Sequence, residues 1–307
     1  MPKPPVFEGN LVLPVITAPM FLVSGPELVI AACKSGVVGS FPAPNARDID
    51  QLDGWLQQIT EELETYKKEN PDITVAPFAV NLIVHMMNGR LDQELELIEK
   101  YNVPFVITSV GNPKKAVEKL KPLGTVVFHD VITLKHAHKA IEGGVDGLIL
   151  VCGGSGGHTG WINPFAFVSQ VREFWDGPIV LGGAISNGQS VRAAEVLGAD
   201  FAYMGSRFIA TKESMADQEY KDLLTEGVAD DVQVTNLFSG MNANWLRQSI
   251  EKRGLDPKNL TADSITKERV KPWKEVFSVG HGVGSIHDVP PVKELVSRLV
   301  DEYQSAK

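Results

Sequence analysis

Short β-branched apolar runs, each followed by a stretch with helical spacing, recur from Pro14 to Ser206, and this alternation constrains the fold more than any other feature. Eight runs have strand character: Val15 to Ala18, Val37 to Ser40, Val75 to Leu82, Phe105 to Thr108, Thr125 to Phe128, Gly147 to Val151, Pro178 to Leu181 and Asp200 to Met204. Most lack the apolar–polar alternation of a half-exposed strand, as expected of parallel strands covered on both faces, and the links between them are long enough for helices. The helical segments are Pro26 to Lys34, Asp48 to Lys68, Leu91 to Lys100, Pro113 to Leu120, Leu134 to Glu142, Pro164 to Trp175 and Gly188 to Leu197. An open doubly wound sheet shares this alternation, but it calls for a glycine fingerprint after the first strand, and Ala18-Pro19-Met20 stands there. The expected fold is α/β, a (β/α)8 TIM barrel.

From about Thr211 the pattern turns polar and helical, through Glu219 to Gly227 and Met241 to Gly254, before a final helix near Pro291 to Ser305. That is more chain than a last barrel helix needs. Residues 211–285 are therefore expected to form a mainly helical extension near the barrel mouth, closed by the stretch from Ser278 to Gly284. No low-complexity linker separates a second unit, so residues 1–307 are expected to form one domain with a C-terminal helical extension. The 307 residues are 43% hydrophobic and 22% charged, enough for a large core and close to the roughly 250 residues that barrels commonly use.

The formal charge of −9 argues against a nucleic-acid partner, which calls for a basic surface. Cys33 and Cys152 are too few to staple such a fold and suggest free thiols in a reducing compartment. The opening residues lack the basic-then-apolar pattern of a signal peptide, and no window approaches the roughly 20 apolar residues of a membrane span. The expectation is a cytoplasmic protein with no membrane partner; no motif speaks to its oligomeric state.

Barrel chemistry gathers in the loops at the carboxyl ends of the strands. After the sixth strand comes Gly153-Gly154-Ser155-Gly156-Gly157-His158-Thr159-Gly160, whose glycines permit positive φ and close approach to a planar ligand while delivering one imidazole. After the seventh comes Gly182-Gly183-Ala184-Ile185, and the eighth ends in Gly205-Ser206. Phosphate sites in barrels are typically built from these two loops, which makes Gly183, Ala184, Gly205 and Ser206 the candidate phosphate cradle. His158, with an unperturbed pKa of about 6.5, is the candidate acid, base or hydrogen-bond donor.

Other positions carry two readings each. Asn81, near the end of the third strand, could bond a ring carbonyl or imide, or stabilise its loop. His85, Met86 and Met87 follow it, and the methionines could wall an apolar pocket or fill core space. His129 and Asp130 follow the fifth strand; either could meet a ligand, or Asp130 could cap the next helix. His136 and His138 lie two apart on a helix and point away from each other, so they are assigned to a solvated face. Cys152 has no identifiable base and is assigned to packing. No cluster has metal-ligand spacing.

The motifs Pro14-Val15-Ile16-Thr17-Ala18-Pro19-Met20, Gly156-Gly157-His158-Thr159-Gly160, Leu181-Gly182-Gly183-Ala184-Ile185 and Tyr203-Met204-Gly205-Ser206-Arg207-Phe208, in this order, resemble the nitronate monooxygenase family, formerly called 2-nitropropane dioxygenases. The late stretch Ser278 to Gly284 extends the match. The resemblance implies a barrel with non-covalent FMN and no metal, oxidising alkyl nitronates such as propionate 3-nitronate with O2 to a carbonyl product and nitrite. It places His158 at the reactive face of the flavin. It maps flavin contacts onto Ala18, Pro19, Met20 and Asn81, onto Gly153, Gly156 and Gly157, and onto Gly182, Gly183, Ala184, Gly205 and Ser206.

Two departures stand out. Some relatives carry Lys or Gln near the end of the fifth strand, where this chain has His129 and Asp130, and many carry Gln where His281 sits between Gly280 and Gly282. The same superfamily includes NAD(P)H-dependent flavin reductases of enoyl-acyl-carrier-protein or quinone type, which are the main alternative. A ligand-binding barrel without turnover is a second, and a phosphosugar isomerase a third.

Overall fold

The computed structural model describes residues 4–265 and 270–306, leaving Met1 to Lys3 of the opening segment and 266–269 of the late extension outside the described residues. Eight parallel strands form the frame: β1 (Val15–Thr17), β2 (Gly39–Pro42), β3 (Phe78–Ile83), β4 (Phe105–Ser109), β5 (Val126–Val131), β6 (Gly147–Val151), β8 (Ile179–Gly182) and β9 (Phe201–Met204). Their order is β1-β9-β8-β6-β5-β4-β3-β2, and a bridge between Ile16 and Val38 joins the two ends into a barrel. Between strands run α1 (Pro26–Lys34), α2 (Ile49–Glu69), α3 (Leu91–Lys100), α4 (Lys114–Leu120), α5 (Leu134–Glu142), α6 (Pro164–Arg172) and α7 (Gly188–Leu197), with α11 (Val292–Ser305) packed against α7 and α1.

Local chemistry sets these boundaries. Asp48 ends an extended segment and accepts the amide of Gln51 at 2.8 Å, starting α2. Val37 and Val38 are expected in the second strand, but Val38 turns its peptide to β1 and the ladder with β3 begins at Gly39. Gly39 is required there, since a Cβ would lie 2.4 Å from the carbonyl oxygen of Val29 on α1. The fifth strand runs three residues beyond its expected end, through Val131, and takes His129 and Asp130 into the barrel wall. Thr133 rather than Asp130 caps α5, accepting from the amide of His136.

Two layers of core result. One lies between the strands and the surrounding helices; the other fills the barrel with Ile16, Val38, Ala79, Ile107, Ile149 and Val180 above a cluster of phenylalanines. Phe7, on the short 3-10 turn Pro5–Phe7, plugs the amino end of the barrel. Its ring centroid lies 5.2 Å from Phe105 and 4.9 Å from Phe201, and Phe105 lies 4.9 Å from Phe128. Burying each such ring contributes about 1.5–3 kcal/mol.

The late segment departs most from expectation. Met241 to Gly254 is not one helix: Ala243–Leu246 forms a strand, β11, and only Arg247–Glu251 is helical, as α10. β11 pairs antiparallel with β10 (Val232–Thr235) and with β7 (Gly157–His158), making a second sheet of three strands. Trp245, fully buried against Phe238 and Trp273, explains the outcome, because packing overrides weak local propensity. The short α8 (Ser206–Ile209) and the longer α9 (Gln218–Glu226) are helical. Among the described residues, no helix is long and apolar enough to cross a membrane.

Candidate active site

A cavity of about 1200 Å³ opens at the carboxyl end of the barrel. Its floor is the last layer of inward-facing residues: Asn81 on β3, Ser109 on β4, Asp130 on β5, Val151 on β6, Gly182 on β8 and Tyr203 on β9. Side chains alternate along a strand, so the phenylalanines near the strand starts and these residues near the ends share one interior. Ala18, Pro19, Met20, Gly156, Gly157, His158, Gly183, Ala184, Gly205 and Ser206 line the same cavity. Of the residues expected to touch cofactor, Gly153 alone does not line it; its amide instead donates to the carbonyl of Ile162 at 2.9 Å.

The glycine loops are shaped by close packing as well as by ligand space. Gly157 and Gly183 have φ of 74° and 142°, and Ala184 follows at 58°, a left-handed turn that aims this loop at the cavity. A Cβ on Gly156 would meet the Gly280 nitrogen at 2.9 Å. The late loop is therefore clamped onto the sixth-strand loop. The Gly280 amide donates to Ser206 Oγ at 2.9 Å, the His281 amide donates to the Gly154 carbonyl at 2.9 Å, and the Gly157 amide donates to Ser278 Oγ. Tyr220 on α9 holds Ser278 by donating to its carbonyl, and Asn244 on β11 donates to the Ser155 carbonyl at 2.7 Å.

The same corner suits an anion. Ser155 Oγ is buried, has no partner among the described residues, and would lie 3.4 Å from a Cβ on Gly183. Ser206 opens α8 and has used its oxygen to accept from Gly280, which leaves its proton to donate. An orphaned hydroxyl between two turned loops is what a bound phosphate oxygen would satisfy. The residues present therefore fit a phosphate-bearing planar cofactor.

His158 stands on the wall of the cavity as the second residue of β7. Its ring is open to solvent through the mouth yet flanked by protein, and that desolvation pulls its pKa below the ordinary value. Trp273 meets the ring edge-on, with centroids 5.3 Å apart. Nε2 lies 3.2 Å from Ser239 Oγ, whose own proton goes to the Met241 carbonyl at 3.0 Å. Ser239 is thus an acceptor, which assigns the proton to Nε2 and leaves Nδ1 as the lone-pair nitrogen.

The remaining candidates separate cleanly. His129 turns to Thr108, with Nδ1 at 2.8 Å from its hydroxyl, and burial pushes its pKa down to about 4. Cys152 lies beneath Gly183, its thiol pushed up to about 12 by burial, so it is no nucleophile. Met86 and Met87 are 92% and 82% exposed and wall no part of the cavity. His85 accepts the Met87 amide at 3.2 Å and stays outside as well. His138 stacks on Phe174, whereas His136 reaches the cavity rim. Sequence reasoning misses Ser109, Tyr220, Ser239, Trp273 and Asn244. No local signal marks them, because each acts through a partner distant in the chain.

Comparison with known proteins fits this geometry. A Bacillus subtilis protein described as a probable nitronate monooxygenase is 25% identical, covering 95% of this chain and 96% of its own. A (3aS,4S,5R,7aS)-5-hydroxy-7a-methyl-1-oxo-octahydro-1H-indene-4-carboxyl-CoA dehydrogenase from Rhodococcus jostii is 28% identical, covering 87% and 74%. FabK from Thermotoga maritima superposes with a TM-score of 0.79 at 26% identity, over 97% of this chain and 94% of that one. A nitroalkane oxidase from Streptomyces ansochromogenes, at 23% identity and a TM-score of 0.81 over 97% and 98%, shares the fold. The family model for nitronate monooxygenase matches residues 8–302. With its barrel, its cavity and that match over nearly the whole chain, the protein belongs to the nitronate monooxygenase family of flavin-dependent oxidoreductases.

Proposed function

We propose that this chain binds FMN and oxidises alkyl nitronates, propionate 3-nitronate among them, with O2. The observation that supports this reading is convergence: residues from the loops after seven of the eight barrel strands line one cavity, with an orphaned serine hydroxyl at its anion corner and His158 on its wall. When bound, FMN would supply the redox chemistry that carries substrate electrons to O2. Ser155, Gly183, Ala184, Gly205 and Ser206 would hold its phosphate, and Ala18, Pro19, Met20 and Asn81 its ring. The late loop and the second sheet complete the wall around His158, so barrel and extension act as one unit.

The role of His158 depends on substrate charge. A nitronate is already an anion, and the imidazole then orients it and stabilises charge through a hydrogen bond. A neutral nitroalkane must first lose its α-proton. Depressed basicity keeps the imidazole neutral at pH 7 and free to accept that proton at Nδ1.

A second reading, an NAD(P)H-dependent flavin reductase, is favoured by the likeness to FabK and by a cavity with room beyond a small nitronate. One experiment separates them. Purified protein is titrated anaerobically with propionate 3-nitronate, then separately with NADH and NADPH, and finally exposed to air. The proposal expects nitronate to change the bound-flavin absorbance, air to restore it, and the nicotinamides to do nothing. Prompt bleaching by NADPH with no nitronate response would replace it with the reductase reading.

A further inference from the structure

The cavity floor carries a polar arc that the proposed reaction leaves unused. Asn81 Nδ2 donates to the Ile107 carbonyl at 3.2 Å and to Ser109 Oγ at 2.7 Å. A carbonyl can only accept, so the amide nitrogen is fixed on that side and Oδ1 is left uncommitted. Ser109, already accepting from Asn81, directs its single proton to Asp130 Oδ2 at 2.5 Å. The polarity runs one way, Asn81 to Ser109 to Asp130, and ends on a carboxyl.

Among the described residues that carboxyl has no counter-charge. Ser109 is the one group that lowers its pKa, against a larger desolvation by the barrel wall, and the balance leaves Asp130 raised to about 6. The titratable groups that share the cavity with Asp130 are His129, also on β5, His158 on β7, Tyr203 on β9, Tyr220 on α9, His136, Lys139 and Glu142 along α5, and Lys114 on α4. Among the described residues none forms an ion pair with Asp130. Tyr203 stays a phenol, held so by burial and by the nearby carboxyl. His129, the next residue on β5, faces Thr108 instead.

We propose that Asp130, when protonated, is the hydrogen-bond donor of the cavity floor, its proton on the oxygen turned away from Ser109 and donated to an electron-rich carbonyl of the bound flavin. The inference rests on the flavin reading above. It also accounts for the fixed orientation of Asn81: the floor then offers an acceptor at Oδ1 beside a donor at Asp130, complementary to the imide N–H and adjoining carbonyl of a flavin's pyrimidine edge. Ionisation of Asp130 would replace the donor with a negative charge and weaken the hold.

Asp130→Asn tests this, because the amide keeps the shape, still accepts from Ser109, and donates at every pH. FMN released on serial dilution of holoenzyme, read by fluorescence, gives Kd for both proteins between pH 5 and pH 8. A phosphate titrates in the same window in both, with a pKa near about 6, so the ratio of native to variant Kd isolates the carboxyl. That ratio is expected to rise about tenfold as pH rises through the folded pKa. Melting temperature supplies a readout independent of flavin contact. The folded carboxyl binds its proton more tightly than the unfolded one, whose pKa is about 3.9, so the native protein should lose melting temperature relative to Asp130→Asn as pH rises from 4 to 7.5. A flat Kd ratio overturns the proposal whatever the melting shows. If neither protein holds FMN at any pH, the flavin reading itself falls, and a persisting melting difference identifies that failure as distinct from a carboxyl that was never protonated.

Discussion

The two ends of the barrel are built from the same strands and do opposite things. At the amino end, Phe7, Phe105, Phe128 and Phe201 pack ring against ring and exclude water. At the carboxyl end, a few residues further along the same inward faces, stand Asn81, Ser109, Asp130 and Tyr203, with glycine loops above them. The amino end supplies stability that the carboxyl end does not. A polar floor with an unpaired carboxyl and an orphaned serine hydroxyl costs folding free energy, and a closed aromatic plug offsets that cost.

The sharpest way to break the contrast is Phe105→Ala. Removing a fully buried ring that touches both Phe7 and Phe128 should cost about 3–5 kcal/mol in denaturant unfolding while leaving flavin affinity of the folded fraction within twofold. Equal loss of flavin affinity would mean the plug shapes the mouth. The complement is His158→Ala, expected to lower turnover of a neutral nitroalkane on the order of 10²-fold with unfolding shifted by less than about 0.5 kcal/mol. A stability loss comparable to that of Phe105→Ala would make His158 a structural residue.

Gly156→Ala lies between these extremes. Its Cβ would sit 2.9 Å from the Gly280 nitrogen, so the late loop must move away. We expect about 1–3 kcal/mol of destabilisation together with a drop in FMN affinity, measured by unfolding and by flavin release. The smallest effect concerns pH. Because His158 is held neutral below its ordinary range, kcat/KM for a neutral nitroalkane should stay on its plateau as pH falls past about 6.5 and decline only below it. For a nitronate, which needs no proton removed, that limb should be absent. A decline centred above 6.5 would show that desolvation does not dominate at this ring.

Several of these elements are legible in the chain itself. α1, α3, α5 and α7 start and stop where the helical spacing places them, and the structure supplies the local reason: Pro26 opens α1, Thr133 caps α5 and Gly198 closes α7. The glycine-rich loops and His158 are legible for a similar reason: a barrel puts its chemistry after its strands. β11 is not legible. Its four residues carry no alternation of their own and become a strand by pairing with Gly157 and His158, more than 80 residues earlier. Asp130 reads as a loop residue, since nothing in His129-Asp130-Val131 announces that the strand continues to Val131.

By itself, then, the sequence determined the kind of fold and the loops that face its mouth, since both follow from hydrophobic period, glycine conformational freedom and the geometry of parallel strands. Only the tertiary structure decided which polar groups meet. The contact of Gly157 with Ser278 spans 121 residues, that of Asn244 with Ser155 spans 89, and the arc from Asn81 to Asp130 crosses three strands. Hydrogen-bond direction, carboxyl basicity and the tautomer of His158 are properties of those meetings. They depend on burial and on the neighbouring donor, and neither is written in the local chain.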